Sequence, residues 1–420
     1  LLKARSGYDR IRGKLFPRRT IVNQLEQLPI PLLQWFQEHA RVLPWRSDPT
    51  PYHVWISEIM LQQTRVAAVL DYYRRFLDAL PTVAHLAAVE EDTLLKLWQG
   101  LGYYNRARNL QKAARQIMEE FGGVFPASYE EILSLAGVGE YTAGAISSIA
   151  FGIPVPAVDG NVLRVVARIT GDRGDILNSA TKARMRAALL ETMPKQFPGA
   201  YNQALMELGA LVCLPNGAPL CEQCPAASFC TAYQEGLTSE LPVKAPKKAR
   251  RVEKRTVFLL FHGGRVALRR RPKRGLLAGL WEYPNEVEAG PAALEAWGIT
   301  PRSLEAGGAG KHIFSHIEWH MHALLAETAD DILPDGWVWA DGRELEEVYA
   351  GCVPPSDITH QRSDYEFYRL DRRPAALLQR GPDPEHLLPP GNAPAPETGP
   401  GETRGGPPLR SGAGPGQVPL

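Results

Sequence analysis

The segment from Leu135 to Asn161 most restricts what this chain can become. It reads as the end of a short helix, the turn Gly137-Val138-Gly139, a second helix, a loop broken by Pro154 and Pro156, and then Asp159 at the head of a third helix. Ser128 followed three residues later by Glu131 predicts a capping box at the start of the first helix. The paired glycines permit positive φ and a close backbone approach. Amides at such a turn, with the next helix N-terminus behind them, make a phosphate cradle, although an ordinary corner between helices fits the same pattern.

The remaining pattern extends this helical character over residues 21–240. Apolar residues recur at helical spacing through Ile30–Ala40, Val54–Phe76, Leu94–Leu101, Leu110–Phe121, Ile132–Ala150, Val162–Ile169 and Ala183–Met193. Residues 1–20 form a basic extension, without the apolar core and cleavage site of a signal peptide. Nothing approaches a membrane span, and a cytoplasmic, nucleoid-associated monomer is the expectation. Residues 241–255 turn to Pro, Lys, Arg and Ala and read as a basic linker. Beyond it, Thr256–His262 is strand-like, Gly263-Gly264 a hairpin turn, and a small α+β domain is expected over residues 256–370. Residues 371–420, rich in Pro and Gly, read as a disordered tail.

Formal net charge is only +1, so nucleic-acid binding has to rest on local patches. One such patch is Lys244 to Arg274, where basic residues dominate and phosphate contact is expected. The chain has five cysteines, four of them spaced Cys213-x7-Cys221-x2-Cys224-x5-Cys230. Thiolates so close together in a short loop suit either an iron–sulfur cluster or zinc. Cys352 stands apart and reads as a small buried hydrophobe.

Two carboxylates stand out. Glu58 lies within a helix opened by Thr50-Pro51, with Val54, Trp55 and Leu61 as its neighbours on that face. Burial there would raise its pKa and make it a general acid, whereas a Glu at the helix edge would reach solvent. Asp159 fits a helix N-cap, which favours the anion and predicts a lowered pKa. Two carboxyls pushed apart in this way are what splitting a glycosidic bond requires.

Several ordered motifs carry a resemblance: Leu43-Pro-Trp-Arg46, Val54-Trp-Ile-Ser-Glu-Ile-Met-Leu-Gln-Gln-Thr64, Gly100-Leu-Gly-Tyr-Tyr-Asn-Arg106, Leu135–Ala145 and Val158-Asp-Gly-Asn161. Together they resemble the adenine DNA glycosylases of the MutY kind, in the helix-hairpin-helix glycosylase superfamily. The implied fold is multidomain. An all-α glycosylase domain with a [4Fe–4S] loop at 213–230 is followed by an α+β Nudix-like domain. The implied activity is excision of adenine mispaired with 8-oxoguanine, or guanine, in double-stranded DNA, leaving an abasic site.

The same resemblance implies roles for particular residues. Glu58 would protonate adenine N7 and Asp159 would stabilise the sugar cation, with Tyr141 and Asn161 positioning them. Arg41, Trp45, Arg46, Leu61 and Gln203 would line the adenine pocket. Gln63 and Thr64 would fill the place of the extruded base, and Tyr103 would wedge beside the orphaned lesion. Gly137, Val138 and Gly139 would grip the phosphate backbone. Phe314, Ser315 and His316 would read the lesion from the C-terminal domain. Cys213, Cys221, Cys224 and Cys230 would ligate the cluster. Tyr141 stands where bifunctional relatives of the endonuclease III kind carry a Schiff-base lysine, so a monofunctional enzyme is expected over a glycosylase/lyase or an inactive DNA-binding protein. Ala136 replaces the hairpin's usual proline and predicts a softer turn. Residues 285–297 lack the glutamate-rich Nudix core, which argues against nucleotide hydrolysis.

Overall fold

The computed structural model describes residues 18–246 and 249–351. Its helical part runs α1 (Arg18–Leu25), α2 (Pro29–His39), α3 (Pro44–Ser47), α4 (Pro51–Leu61), α5 (Val66–Ala79), α6 (Val83–Ala88), α7 (Glu91–Leu97) and α8 (Asn105–Glu120). It continues through α9 (Tyr129–Ser134), α10 (Glu140–Phe151), α11 (Gly160–Thr170), α12 (Ser179–Thr192), α13 (Pro198–Leu211) and α14 (Thr231–Gln234). The sequence signals at helix starts are realised. Thr50 accepts from the His53 N–H, and Ser128 with Glu131 closes a capping box.

These helices bury two separate apolar cores. One gathers Trp55, Ile59, Phe76, Leu94, Trp98, Leu110 and Ile146 from α4 to α10. The other gathers Ile21, Leu32, Val162, Val166, Leu189, Tyr201 and Leu205 from α1, α2 and α11 to α13. Each is the continuous, close-packed interior of a small helical lobe. Residues 40–50 and the α10–α11 loop connect the two lobes.

Several boundaries differ from the sequence reading. The apolar run Val54–Phe76 is two helices, because Gln62 to Arg65 leave helical geometry and Gln63 adopts φ 60°. Helix α1 already begins at Arg18, inside the expected N-terminal extension. The linker is shorter at both ends. Leu241 is buried in the second core, and β1 (Arg251–His262) begins five residues before the expected Thr256. The sequence Arg251-Val-Glu-Lys-Arg255 looks like linker, yet it pairs in parallel with Ile317–Met321.

The C-terminal sheet contains β1, β2 (Arg265–Arg270), β3 (Trp281–Glu282), β4 (Asn285–Val287), β5 (Pro301–Ile313), β6 (Ile317–Thr328) and β7 (Trp337–Ala340). The main order is β3-β2-β1-β6-β5, with β4 on β1 and β7 on β2. Short helices α15 (Ala292–Ala296) and α16 (Gly342–Glu347) accompany it. Apolar clusters around Leu259, Leu268 and Trp319, and around Phe258, Leu260 and Leu294, lie on alternating sides of β1, as the two-residue strand period requires. Cys352, Lys247, Lys248, the first 17 residues and the tail expected at 371–420 fall outside the described residues.

Candidate active site

Glu58 lies mid-way along α4 and is 6% exposed. Tyr141, in the first turn of α10, donates its hydroxyl to Glu58 Oε2 at 2.5 Å. Burial pushes the Glu58 carboxyl from 4.5 to about 7; the Tyr141 hydrogen bond opposes this, the Asp159 charge adds to it and the Arg46 charge opposes it. Burial, with the charges of Glu58 and Asp159, holds the Tyr141 phenol well above its ordinary value, so its proton remains available to donate. The sequence alternative of a solvent-reaching Glu58 is thereby excluded.

Asp159 takes the expected N-cap of α11. Its Oδ1 accepts the Val162 N–H at 2.8 Å and its Oδ2 accepts Asn161 Nδ2 at 2.8 Å. The expected lowering of its pKa is not what the structure gives. Burial raises it, and this outweighs the hydrogen bonds from Val162 and Asn161 and the nearby Arg164 charge. Position is set from α13: Asn202 donates to Val155 O and Ser148 Oγ and accepts the Ala157 N–H, fixing the loop that leads into Asp159. Gly144 lets that loop approach α10; a methyl there would stand 2.6 Å from Pro156 O.

A second polar assembly includes Arg46, whose charge acts on Glu58. Glu207 on α13 accepts Arg41 Nε at 2.6 Å, Arg41 Nη2 at 2.9 Å and Arg46 Nη2 at 2.9 Å. Burial alone would raise this carboxyl, but those hydrogen bonds and charges hold it at about 2. Arg46 also donates Nε to Gln203 Oε1 at 3.0 Å, so Arg41, Arg46 and Gln203 form one assembly. Glu207 was not singled out from sequence, and neither was α13. That helix buries residues all around, so it lacks a polar stripe to reveal its period. The signal available was Gln203 and Glu207 at i and i+4.

The other expected residues divide clearly. Trp45 is buried in the first core, edge-on to Tyr73, and Leu61 is half-buried at the end of α4. Gln63 is exposed and Thr64 half-buried at the break after α4. Gln63 and Tyr103 have φ of 60° and 47°, a left-handed backbone uncommon outside glycine. Tyr103 is 49% exposed, and its hydroxyl lies 3.1 Å from Ser315 Oγ, between β5 and β6. Phe314 stacks edge-on against His312 and Trp319, its carbonyl accepts Arg250 Nε, and His316 is exposed beside it.

Arg106 links two of these parts. It donates to Ile59 O, Met60 O and Gln62 O at the end of α4, and to Leu101 O and Gly102 O before Tyr103. Those carbonyls include helix-end groups with no partner further along the chain. Replacing Arg106 by Met is expected to lower stability by about 2–4 kcal/mol, read as a reduced thermal midpoint, because the buried carbonyls lose a charged donor. An unchanged midpoint would mean these bonds contribute nothing net.

At the hairpin, Gly137 has φ 75°, and a methyl there would stand 2.5 Å from Asn109 Cβ. Val138 is buried and Gly139 precedes α10 as its N-cap. Ala136 uses the amide a proline would lack to donate to Gln116 Oε1, which ties the turn instead of softening it. Part of the basic run expected to contact phosphate is engaged within the protein. Arg255 pairs with Glu253, Arg269 with Glu282 and Glu286, Arg270 with Asp92, and Arg271 with Glu282. Lys244, Lys254, Lys273 and Arg274 are exposed.

Cys213, Cys221, Cys224 and Cys230 are free thiols that line one cavity with Val165, Arg168 and Leu208. Arg168 is 5% exposed and donates Nη1 to Cys213 Sγ at 3.3 Å, while the Cys230 thiol donates to Arg168 O at 3.4 Å. Among the described residues no three His, Cys, Asp or Glu side chains converge tightly enough to hold a metal ion.

Comparison with known proteins agrees with this arrangement. Residues 56–195 match the HhH-GPD superfamily base excision DNA repair protein family, and residues 256–351 match a NUDIX domain. The class is therefore a base-excision DNA glycosylase carrying a second, Nudix-type domain. The adenine DNA glycosylase of Mus musculus is 36% identical over 380 residues, covering 75% of this chain and 74% of the relative. That of Homo sapiens is 35% identical over 413 residues, covering 79% and 76%. That of Schizosaccharomyces pombe is 32% identical over 402 residues, covering 77% and 87%. The chain belongs to the adenine DNA glycosylase family, and DNA is its partner.

Proposed function

We propose that this glycosylase hydrolyses the N-glycosidic bond of adenine opposite 8-oxoguanine, and more slowly opposite guanine, without cleaving the strand. The observation that carries this reading is the buried Glu58 carboxyl, near 7 and hydrogen-bonded to Tyr141, with the charge of the capped Asp159 acting on it. Protonated Glu58 gives its proton to adenine N7, and the bond from the base to C1′ breaks with its electron pair leaving on the base. The cation left on the sugar is stabilised by Asp159, whose anion Val162 and Asn161 support. Water adds to C1′ and releases its proton. Gln203, held by Arg46, offers a donor and acceptor to the adenine edge. Tyr103 and Gln63, already in left-handed backbone, fit the places of wedge and plug, and Phe314, Ser315 and His316 those of lesion readers.

The four cysteines suit a [4Fe–4S] cluster. A shared cavity with a buried guanidinium beside it favours an anionic group larger than a single ion. Cys213, Cys221, Cys224 and Cys230 would hold it, and it would supply a rigid brace for the 213–230 loop. The seven residues between Cys213 and Cys221 are the turn-rich stretch Leu214–Leu220.

Single-turnover assays on a duplex with adenine opposite 8-oxoguanine test the whole reading. Free adenine is expected, with an intact strand bearing an abasic site, and with no protein–DNA adduct trapped by borohydride. Trapping through a lysine, or strand cleavage matching the rate of base release, would replace it with a glycosylase/lyase.

A further inference from the structure

The helical and sheet domains meet along α7 and α8. Leu280 and Ala350 of the sheet domain are buried in the same apolar cluster as Leu94, Trp98 and Tyr104, and Leu277 packs against it. Polar ties surround this contact: Arg270 Nη2 to Asp92 Oδ1 at 2.5 Å, Lys96 Nζ to Leu345 O at 3.1 Å, and Arg108 Nη2 to Ala278 O at 2.7 Å.

Arg108 is held at two points. Its Nε also donates to Glu91 Oε1 at 2.8 Å on α7, and its side chain is less exposed than that of Arg270. A planar guanidinium can serve a carboxylate and a carbonyl at once with little loss of freedom, which an ammonium does less well.

Its place in the fold gives this fixation a consequence. Arg108 lies in the first turn of α8, directly after Tyr103 and Tyr104 lead the chain into that helix. Thus one helix entry reaches the sheet domain twice, through Tyr103 at Ser315 and through Arg108 at the 275–279 loop. Within the sheet domain the two contacts are joined. Arg271 donates to Leu276 O in that loop and lies 5.4 Å over the Trp319 ring, and Trp319 packs edge-on against Phe314 at 4.9 Å.

We propose that Arg108 is a positioning residue for opposite-base recognition. It clamps the 275–279 loop to the first turn of α8 and so sets the Phe314–His316 loop in register with Tyr103. The proposal rests on the reading of that loop as the sensor of 8-oxoguanine. Without Arg108, the apolar contact through Leu277, Leu280 and Ala350 still holds the domains together, but their relative setting is looser. The Glu58–Asp159 chemistry lies in the helical domain and does not depend on that setting.

The test is the full chain carrying Arg108→Met, assayed in single turnover with adenine opposite 8-oxoguanine and opposite guanine. Loss of the charge-assisted bond to Ala278 O is expected to lower the rate on the 8-oxoguanine duplex about tenfold and to leave the guanine duplex within about twofold. Arg108→Lys, which keeps a charged donor but not the guanidinium fork, is expected to restore part of the preference. An equal fall on both duplexes, or no change on either, would overturn the proposal. A wild-type enzyme with no preference between the two duplexes would instead contradict the reading of the loop itself. If the Met variant does not fold, the Lys variant decides: a wild-type preference overturns the clamp, and a reduced one supports it.

Discussion

Replacing Glu58 by Gln is expected to lower single-turnover adenine release by about a thousandfold or more, while duplex binding stays within about twofold. The amide keeps the shape of the side chain and can still accept the Tyr141 hydroxyl, but it has no proton to give. Stability should move the other way at high pH. The folded-state carboxyl titrates near 7 against an ordinary 4.5, so the native protein binds the extra proton between those values. Stability from this group is therefore full below about 4.5 and is lost as pH rises through 7. Gln carries no such cost, and the variant should melt no lower than the parent at pH 8. Chromatographic detection of adenine, with thermal melts at two pH values, checks both halves. Wild-type release by the variant would remove Glu58 from the chemistry.

The second large effect belongs to Glu207. Glu207→Gln leaves Arg41 and Arg46 facing a neutral amide, with the carboxylate side chain only 2% exposed in the parent. Removing one partner of such a group is expected to cost about 3 kcal/mol near neutral pH. Excision should fall at least about tenfold as well, because Arg46 no longer fixes Gln203. The pH dependence has the opposite sign to that of Glu58. The Glu207 carboxyl is held at about 2, below its ordinary 4.5. Its stabilising contribution is present above 4.5 and is lost as pH falls towards 2, so the gap between parent and variant should close on acidification. Denaturant melts across that range measure it. A gap that stayed constant with pH would show that the loss arises from packing.

What was legible in the sequence was local. The capping box at Ser128 and Glu131 and the Asp159 cap depend on neighbours within a turn, and both form as expected. The strand–hairpin signal at Thr256–Arg270 is also local and survives. Long-range partners were not legible. The ionisation of Asp159 is governed by burial that the cap residues do not reveal. The ion pairs of the basic run after 244 were not legible, because Glu282 and Glu286, which engage Arg269 and Arg271, come from other strands of the sheet. Parallel pairing of Arg251–Arg255 with Ile317–Met321 turned apparent linker into strand. Helix α13 was missed for a related reason: its surroundings bury both faces, so its sequence carries no amphipathic period.

The central claim is that a buried, protonated Glu58 supplies the proton that releases adenine. Its most direct test is the pH dependence of single-turnover excision on a duplex with adenine opposite 8-oxoguanine. The rate should be highest below neutrality and decline as pH rises through about 7, following the Glu58 carboxyl. A rate that is flat or rises across that range would contradict it.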